Sequence, residues 1–385
     1  MPGRTPPLPT GVRVLLAPSP FLSERRSVDP FSPLTAGDLE LPNRIVMAPM
    51  TRLRADEMGI PGALIAEHYA QRASIGLIIS EGVFPSAESK GYVGQPGIAT
   101  PAQAEGWRAV AEAVHAAGGR IVMQLMNAGR VSHTGITGTD RIVAPSAIAI
   151  DGTVHLAGGE SAPFPVPHAL STEELADVRD EFVAAARRAI DAGFDGVEVH
   201  SANGYLLHEF LSPVSNVRTD SYGGSPEARV AFPLEVTRAI ADEVGAGRVG
   251  IRISPSHNIQ DVLETDADDV RATYEALVDG LAPLGLSYLS VLHAEPAGEF
   301  VQDLRTRFGG VLVANSGFGS PTSREEATAL ISDGHADAVA VGRPVMANPD
   351  LVERWQGGHP ENELNQATVY ASGPEGYVDY EKLSA

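Results

Sequence analysis

Within six positions, the stretch GFDGVEVHSANGYLLHEFLSPVSNVRTDSYGGS (residues 193–225) sets an imidazole at His200, a carboxamide at Asn203 and a phenol at Tyr205. The first two are hydrogen-bond donors suited to a substrate oxygen on which negative charge develops. Tyr205 adds a proton source, because a phenol of ordinary pKa near about 10 is protonated at neutral pH. A short apolar run, 196–200, leads into this group. Polar residues bunched where a strand ends are placed as a (β/α)8 barrel places its chemistry.

Further chemistry lies on other apolar runs. In IVMQLMN, alternation puts Val122, Gln124 and Met126 on one face. The Gln124 amide both donates and accepts, which suits the edge of a heterocycle or, equally, a neighbouring side chain. In VGIRIS, Arg252 points inward with Gly250 and Ser254. A buried guanidinium needs a counter-charge. Two are available: Glu198, or the ring of a cofactor that becomes anionic on reduction. The runs ending in NSGFGS and VGRP supply Gly317, Gly342 and Arg343, two close-approach turns and a bidentate cation where barrels commonly bind phosphate. APMTR offers the Thr51 hydroxyl, for a ligand or for a cap.

Composition excludes much else. The chain has 385 residues, 43 % of them hydrophobic, no cysteine and a formal net charge of −21. Thiolate catalysis, disulfides and cysteine-held clusters are therefore ruled out, and nucleic acid or an anionic membrane is an unfavourable partner. The two lysines, Lys90 and Lys382, fall outside the strand runs, which disfavours a Schiff-base aldolase. No Gly-rich nucleotide fingerprint or P-loop is present. His155, His168, His208 and His293 lack ligand spacing and read as incidental, so no metal is expected. No apolar run reaches membrane-spanning length, and a cytoplasmic protein is the expectation. Residues 1–29, rich in Pro and Arg, read as a disordered extension or a consequence of start-site choice.

The elements that must hold these residues alternate along 30–385. Strands are expected over 45–50, 77–83, 121–127, 196–200, 249–254, 288–293, 311–317 and 336–342. Helices are expected over 61–74, 102–117, 172–192, 227–244, 267–283, 299–307, 323–333 and 349–357, with capping boxes at Ser171/Glu174 and Ser323/Glu326. Eight of each point to an α/β fold, a single TIM barrel, with an open doubly wound sheet as the other arrangement. Long loops follow strands 2, 3 and 4 (84–100, 128–170 and 201–226), and the second could hold a hairpin acting as a lid.

Together these motifs resemble the Old Yellow Enzyme family of FMN-dependent ene-reductases over about residues 30–380. The matching segments are DPFSPLTAGDLELPNRIVMAPMTR, HSANGYLLHEFLSPVSNVRTDSYGGS, VGIRISP and VGRPVMANPDLVER. The resemblance implies FMN, bound without a covalent link, and NAD(P)H as co-substrate. It implies that Pro49, Met50 and Thr51 line the flavin, with Thr51 placing the chain nearer the threonine-containing branch. Gly82 approaches the ring, Gln124 pairs with its pyrimidine edge and Arg252 with its N1–O2 side. Gly317, Phe318, Gly342 and Arg343 hold the phosphate. His200 and Asn203 bind the activating oxygen of an electron-poor alkene, Tyr205 donates the proton, and Tyr92, Met126 and Tyr370 line the pocket.

The chain departs from the family pattern in QLMNAGR, where Met126 and Asn127 replace an indole and a histidine, and at Glu209, where glutamine is usual. A flavoprotein oxidase or nitroester reductase, and a flavin-free barrel lyase, are the competing functions. Monomer and homodimer both remain open.

Overall fold

The structure, a computed structural model, describes residue 3 and residues 28–383. The expected extension over 1–29 thus lies almost wholly outside the described residues. Eight parallel strands close on themselves, each paired in sequence order with the next, and the last, Ala338–Val341, pairs back onto the first. They are β1 (Ile45–Met47), β2 (Leu77–Ile79), β3 (Ile121–Leu125), β4 (Gly196–Ser201), β5 (Val249–Ile253), β6 (Tyr288–Leu292), β7 (Leu312–Asn315) and β8 (Ala338–Val341). Every one is buried on both faces, as the near-continuous Val, Ile and Leu content of parallel strands requires. The doubly wound alternative is excluded by the closure.

Eight helices surround the strands: α1 (Ala63–Ala70), α2 (Pro101–Ala116), α3 (Thr172–Asp191), α4 (Ala231–Val244), α5 (Ala267–Leu281), α6 (Glu299–Phe308), α7 (Arg324–Ser332) and α8 (Leu351–Gly357). Ser171 and Glu174 form the reciprocal capping box expected of α3. At α7 only half of the expected box exists, because Ser323 accepts from the Glu326 N–H. The pattern over 227–244 divides into Pro226–Arg229 and α4, around Val230.

Several strands are shorter than expected. The chain leaves the ladder after Met47, Ile79 and Leu125, and beyond it pairing is confined to isolated bridges, as where the Val83 N–H donates to the Gln124 carbonyl and the Val83 carbonyl accepts from the Met126 N–H, both at 2.9 Å. Those freed ends are the walls of the site.

A hairpin not anticipated from sequence, Leu34–Ala36 with Leu39–Leu41, closes the opposite end of the barrel. Ala36, Leu39 and Leu41 pack with Val46, Val122, Tyr288 and Val313 in the barrel interior. Gly37, at φ +58°, is required there, since a Cβ would lie 2.4 Å from the Gly247 carbonyl oxygen. With one end plugged, only the C-terminal mouth is open to a ligand. The long loops stand around that mouth, and the 128–170 loop does contain a hairpin, Thr153–His155 with Ser161–Pro163.

Candidate active site at the barrel mouth

β4 delivers His200 inward, 3 % exposed, beside Gln124 of β3. The Gln124 Nε2 group reaches Glu198 Oε1 at 2.8 Å and His200 Nδ1 at 3.2 Å. An amide N–H facing Nδ1 makes that nitrogen the acceptor, which leaves the imidazole proton on Nε2. Burial, and then the Arg252 charge, holds His200 well below the usual histidine pKa, so it is a neutral donor. With both Nε2 hydrogens engaged, Gln124 offers its carbonyl oxygen to a ligand. It therefore fills one of the two roles left open by its sequence context, bonding neighbouring side chains, and keeps an acceptor for the other.

After β4 the chain turns sharply. Asn203 takes φ +59° and Gly204 φ +83°. Ser254 Oγ accepts from the Asn203 N–H at 2.9 Å, and Gln260 Nε2 donates to the Asn203 carbonyl at 3.2 Å. The Asn203 Oδ1 atom is buried without a partner. Tyr205 follows, its hydroxyl 2.8 Å from that of Tyr92 and its ring 5.3 Å from the His200 ring. Burial, then the neighbouring Tyr92, raises the Tyr205 pKa well above 10, so the phenol keeps its proton throughout the physiological range. Tyr92 is raised as well, chiefly by burial.

Arg252 of β5 corrects one expectation. Glu198 does not pair with it: the guanidinium donates to Ser290 Oγ of β6 at 3.1 Å and to Asn315 Oδ1 of β7 at 3.0 Å. Glu198 carries the Gln124 amide instead, and burial raises its pKa. Arg252 is 3 % exposed, held by two neutral oxygens, and its Nε has no partner. The Glu198 charge still acts on Arg252 without a hydrogen bond between them, and the free Nε leaves the guanidinium able to take an anion from outside the chain.

Arg343 donates to the Phe318 carbonyl at 2.8 Å, which joins the turns after β7 and β8. Gly317 has φ +100°, and there is open space where a Cβ of Gly319 would lie. At Gly342 a Cβ would meet Met50 Sδ at 3.3 Å, and at Gly82 it would meet Met126 Sδ at 2.6 Å. Met126 is buried, and Pro49, Met50 and Thr51 are half-buried at the end of β1. Tyr370 is 66 % exposed, at the rim.

Four contributors escaped the sequence reading. Asn315 and Ser290 hold Arg252, and inward alternation on β7 and β6 was the available signal. Glu81, beside Gly82, accepts from the N–H groups of Arg52 and Leu53 at 3.0 and 3.2 Å, and so fixes the chain immediately after Thr51. Burial pushes its carboxyl up to about 7. His208, read as incidental, is buried and bonded to the Gly204 N–H.

FMN fits this residue set. The unpartnered Arg252 Nε, the Gln124 carbonyl and the two joined glycine turns with Arg343 offer a donor, an acceptor and an anion cradle around one mouth. Among the described residues, no group of His, Asp and Glu could hold a metal, and no helix is long and apolar enough to cross a membrane.

Residues 29–362 match the family described as NADH:flavin oxidoreductase / NADH oxidase. The chain is 42 % identical over 357 residues to a Leishmania infantum protein named "Probable flavin mononucleotide-dependent alkene reductase", covering 90 % of this chain and 96 % of that one. It is 36 % identical over 375 residues to 12-oxophytodienoate reductase 2 of Arabidopsis thaliana, covering 94 % and 97 %. The solved structure of morphinone reductase in complex with tetrahydroNAD superposes with a TM-score of 0.86 at 44 % identity, over 92 % of this chain and 98 % of that one.

Proposed function

This chain belongs to the NADH:flavin oxidoreductase / NADH oxidase family, the Old Yellow Enzymes, and we propose how its residues divide the work of that family's reaction. The protein is an FMN-dependent NAD(P)H ene-reductase. FMN, held by Gln124, Arg252 and Arg343, would supply hydride transfer between NAD(P)H and the β-carbon of an activated C=C bond, in two half-reactions that share one site.

The residues of the chain do the rest. His200 Nε2–H and the Asn203 amide donate to the carbonyl or nitro oxygen of the alkene. They act where charge accumulates as the β-carbon is attacked, a contribution worth about 2.7–4 kcal/mol for one such donor. Tyr205 gives its proton to the α-carbon, and the Tyr92 hydroxyl at 2.8 Å fixes the direction in which the phenol points. Arg252 would supply the positive charge beside the FMN ring, and the Gln124 carbonyl an acceptor for it. Thr51, next to a chain pinned by Glu81, would present its hydroxyl to the ring. Arg343 with Gly317, Phe318 and Gly342 holds the phosphate. Tyr92, Met126 and Tyr370 shape the pocket, and the thioether at 126 leaves it more adaptable than an indole would.

The observation that carries this assignment is the Gln124–His200 hydrogen bond, which fixes a neutral imidazole with its proton on the atom a substrate oxygen needs. The test is anaerobic. Protein loaded with FMN is expected to bleach with NADH or NADPH and to regain its colour with 2-cyclohexen-1-one, yielding cyclohexanone. In the doubly substituted His200→Ala, Asn203→Ala protein the enone is expected to lose that ability. Equal recolouring by wild type and double variant would overturn the residue roles.

A further inference from the structure

Behind the Asn203–Tyr205 turn lies a buried cluster with no part in the roles proposed above. His208, on the short helix Leu206–Leu211, is fully buried, and its Nδ1 accepts from the Gly204 N–H at 2.9 Å. That backbone donor assigns the ring proton to Nε2. Nε2 lies 3.2 Å from Glu264 Oε1, and the Tyr274 hydroxyl donates to the same oxygen at 2.9 Å from α5. The other oxygen of Glu264 accepts from the Ser256 N–H at 2.7 Å, and the Glu264 N–H donates to Asn258 Oδ1 at 2.6 Å. One histidine–glutamate–tyrosine cluster thus grips the loops after β4 and after β5 together.

Both loops need gripping. Asn203 sits at φ +59°, and Ser256, Gln260 and Asp261 at φ +58°, +56° and +57°, all in the left-handed region that non-glycine residues seldom adopt. Gln260 holds the Asn203 carbonyl, and Gly204 cannot carry a Cβ, which would lie 2.9 Å from the Ile259 oxygen and the Gln260 Cβ. The direction of the Asn203 amide and of the Tyr205 phenol therefore depends on two strained turns pressed against each other.

We propose that His208, oriented by Glu264 and Tyr274, is a positioning residue that fixes the Asn203–Gly204 turn and thereby aims Asn203 and Tyr205 at the alkene. This rests on the ene-reductase reading. The cluster acts on the oxidative half-reaction with an alkene, and it leaves untouched the reoxidation of the reduced enzyme by oxygen, which uses neither donor. Misplacing a donor by about 1 Å is sufficient for a loss of about a hundredfold.

The experiment compares wild type, His208→Leu, His208→Asn and Tyr274→Phe as FMN-loaded enzymes. Each is reduced and then mixed with 2-cyclohexen-1-one or with oxygen in a stopped-flow instrument. In a parallel measurement, amide hydrogen exchange is followed for the segment 201–207. In His208→Leu the enone rate is expected to fall about 10- to 100-fold, with the oxygen rate unchanged and exchange at 201–207 accelerated. His208→Asn carries Oδ1 near the place of Nδ1 and is expected to recover most of both signals. Tyr274→Phe removes one hydroxyl and keeps the packing, so it decides the question if His208→Leu does not fold. A lowered enone-to-oxygen rate ratio in it supports the proposal, and an unchanged ratio overturns it. Enone and oxygen rates falling together, or asparagine behaving like leucine, also overturns it. A wild-type enzyme that ignores enones would instead sink the ene-reductase reading itself.

Discussion

Tyr205 and Glu209 sit four residues apart on one short element, and burial affects the two in opposite ways. For Tyr205 it preserves a proton that is needed. Tyr205→Phe is expected to slow alkene-dependent reoxidation about 100-fold or more, with little change in reduction by NAD(P)H, measured as two separate half-reactions. For Glu209 burial is a burden. Its Oε1 accepts from the Arg130 N–H at 2.9 Å, its Oε2 has no partner, and burial pushes its carboxyl up to about 8. The folded chain keeps this proton where the unfolded chain has released it, so stability falls as pH climbs from the ordinary glutamate range through about 8. Glu209→Gln is expected to raise the melting temperature at pH 9, by an amount corresponding to roughly a few kcal/mol, and to change little at pH 4.5. Thermal scans at the two pH values check this, and equal shifts would contradict it. At this scale the sequence was informative where residue type alone implies chemistry, as in His200-Asn203-Tyr205. It was silent on Glu81 and His208, whose roles come from backbone groups that only the folded chain brings to them. Glu198 shows the reverse failure: named as one of two counter-charges open to Arg252, it gives its oxygen to the Gln124 amide instead.

The elements were legible because the barrel repeat is regular. Strands buried on both faces read as unbroken apolar runs, and helices announce themselves by period and caps. Ser171→Ala is expected to remove about 1 kcal/mol from α3 by deleting its side of the capping box, seen as a lower melting temperature, whereas the half-box at Ser323 should give less when Glu326 is replaced by Ala. Strand ends were overestimated because apolar character continues past the ladder into the mouth, as in Val83 and Met126. The tail carried the weakest pattern and yet makes dense contacts. Arg52 donates to the carbonyls of Val369 and Gly376, Arg54 to those of Thr368 and Val369, and His68 stacks 3.9 Å from the Tyr377 ring. These contacts cross more than 300 residues of chain, a separation at which local pattern carries no signal. Deleting residues 365–385 strips two cations of their acceptors beside Thr51. The expected result is a large drop in melting temperature together with weakened flavin retention, and a truncated protein as stable as the full chain would contradict it.

At the scale of the whole molecule, a barrel sealed below by the Leu34–Leu41 hairpin leaves one open end, and every sequence-derived site residue lies on it. On the proposed assignment ligand and fold are coupled there, because FMN would draw on β3, β5 and the turns after β7 and β8 together. Free FMN at about one hundred times its Kd is expected to stabilise the stripped protein by about 2.7 kcal/mol. Replacing Arg252 by Met should largely abolish that increment, which thermal scans with and without FMN will read. On the proposed assignment, a neutral His200 and the protonated Tyr205 serve an alkene at this mouth. The most direct measurement is the anaerobic reoxidation of the NAD(P)H-reduced holoenzyme by 2-cyclohexen-1-one, monitored by flavin absorbance. Full return of the oxidised spectrum with one equivalent of cyclohexanone is the predicted result. A reduced enzyme that stays bleached with the enone and recovers only with oxygen would contradict it.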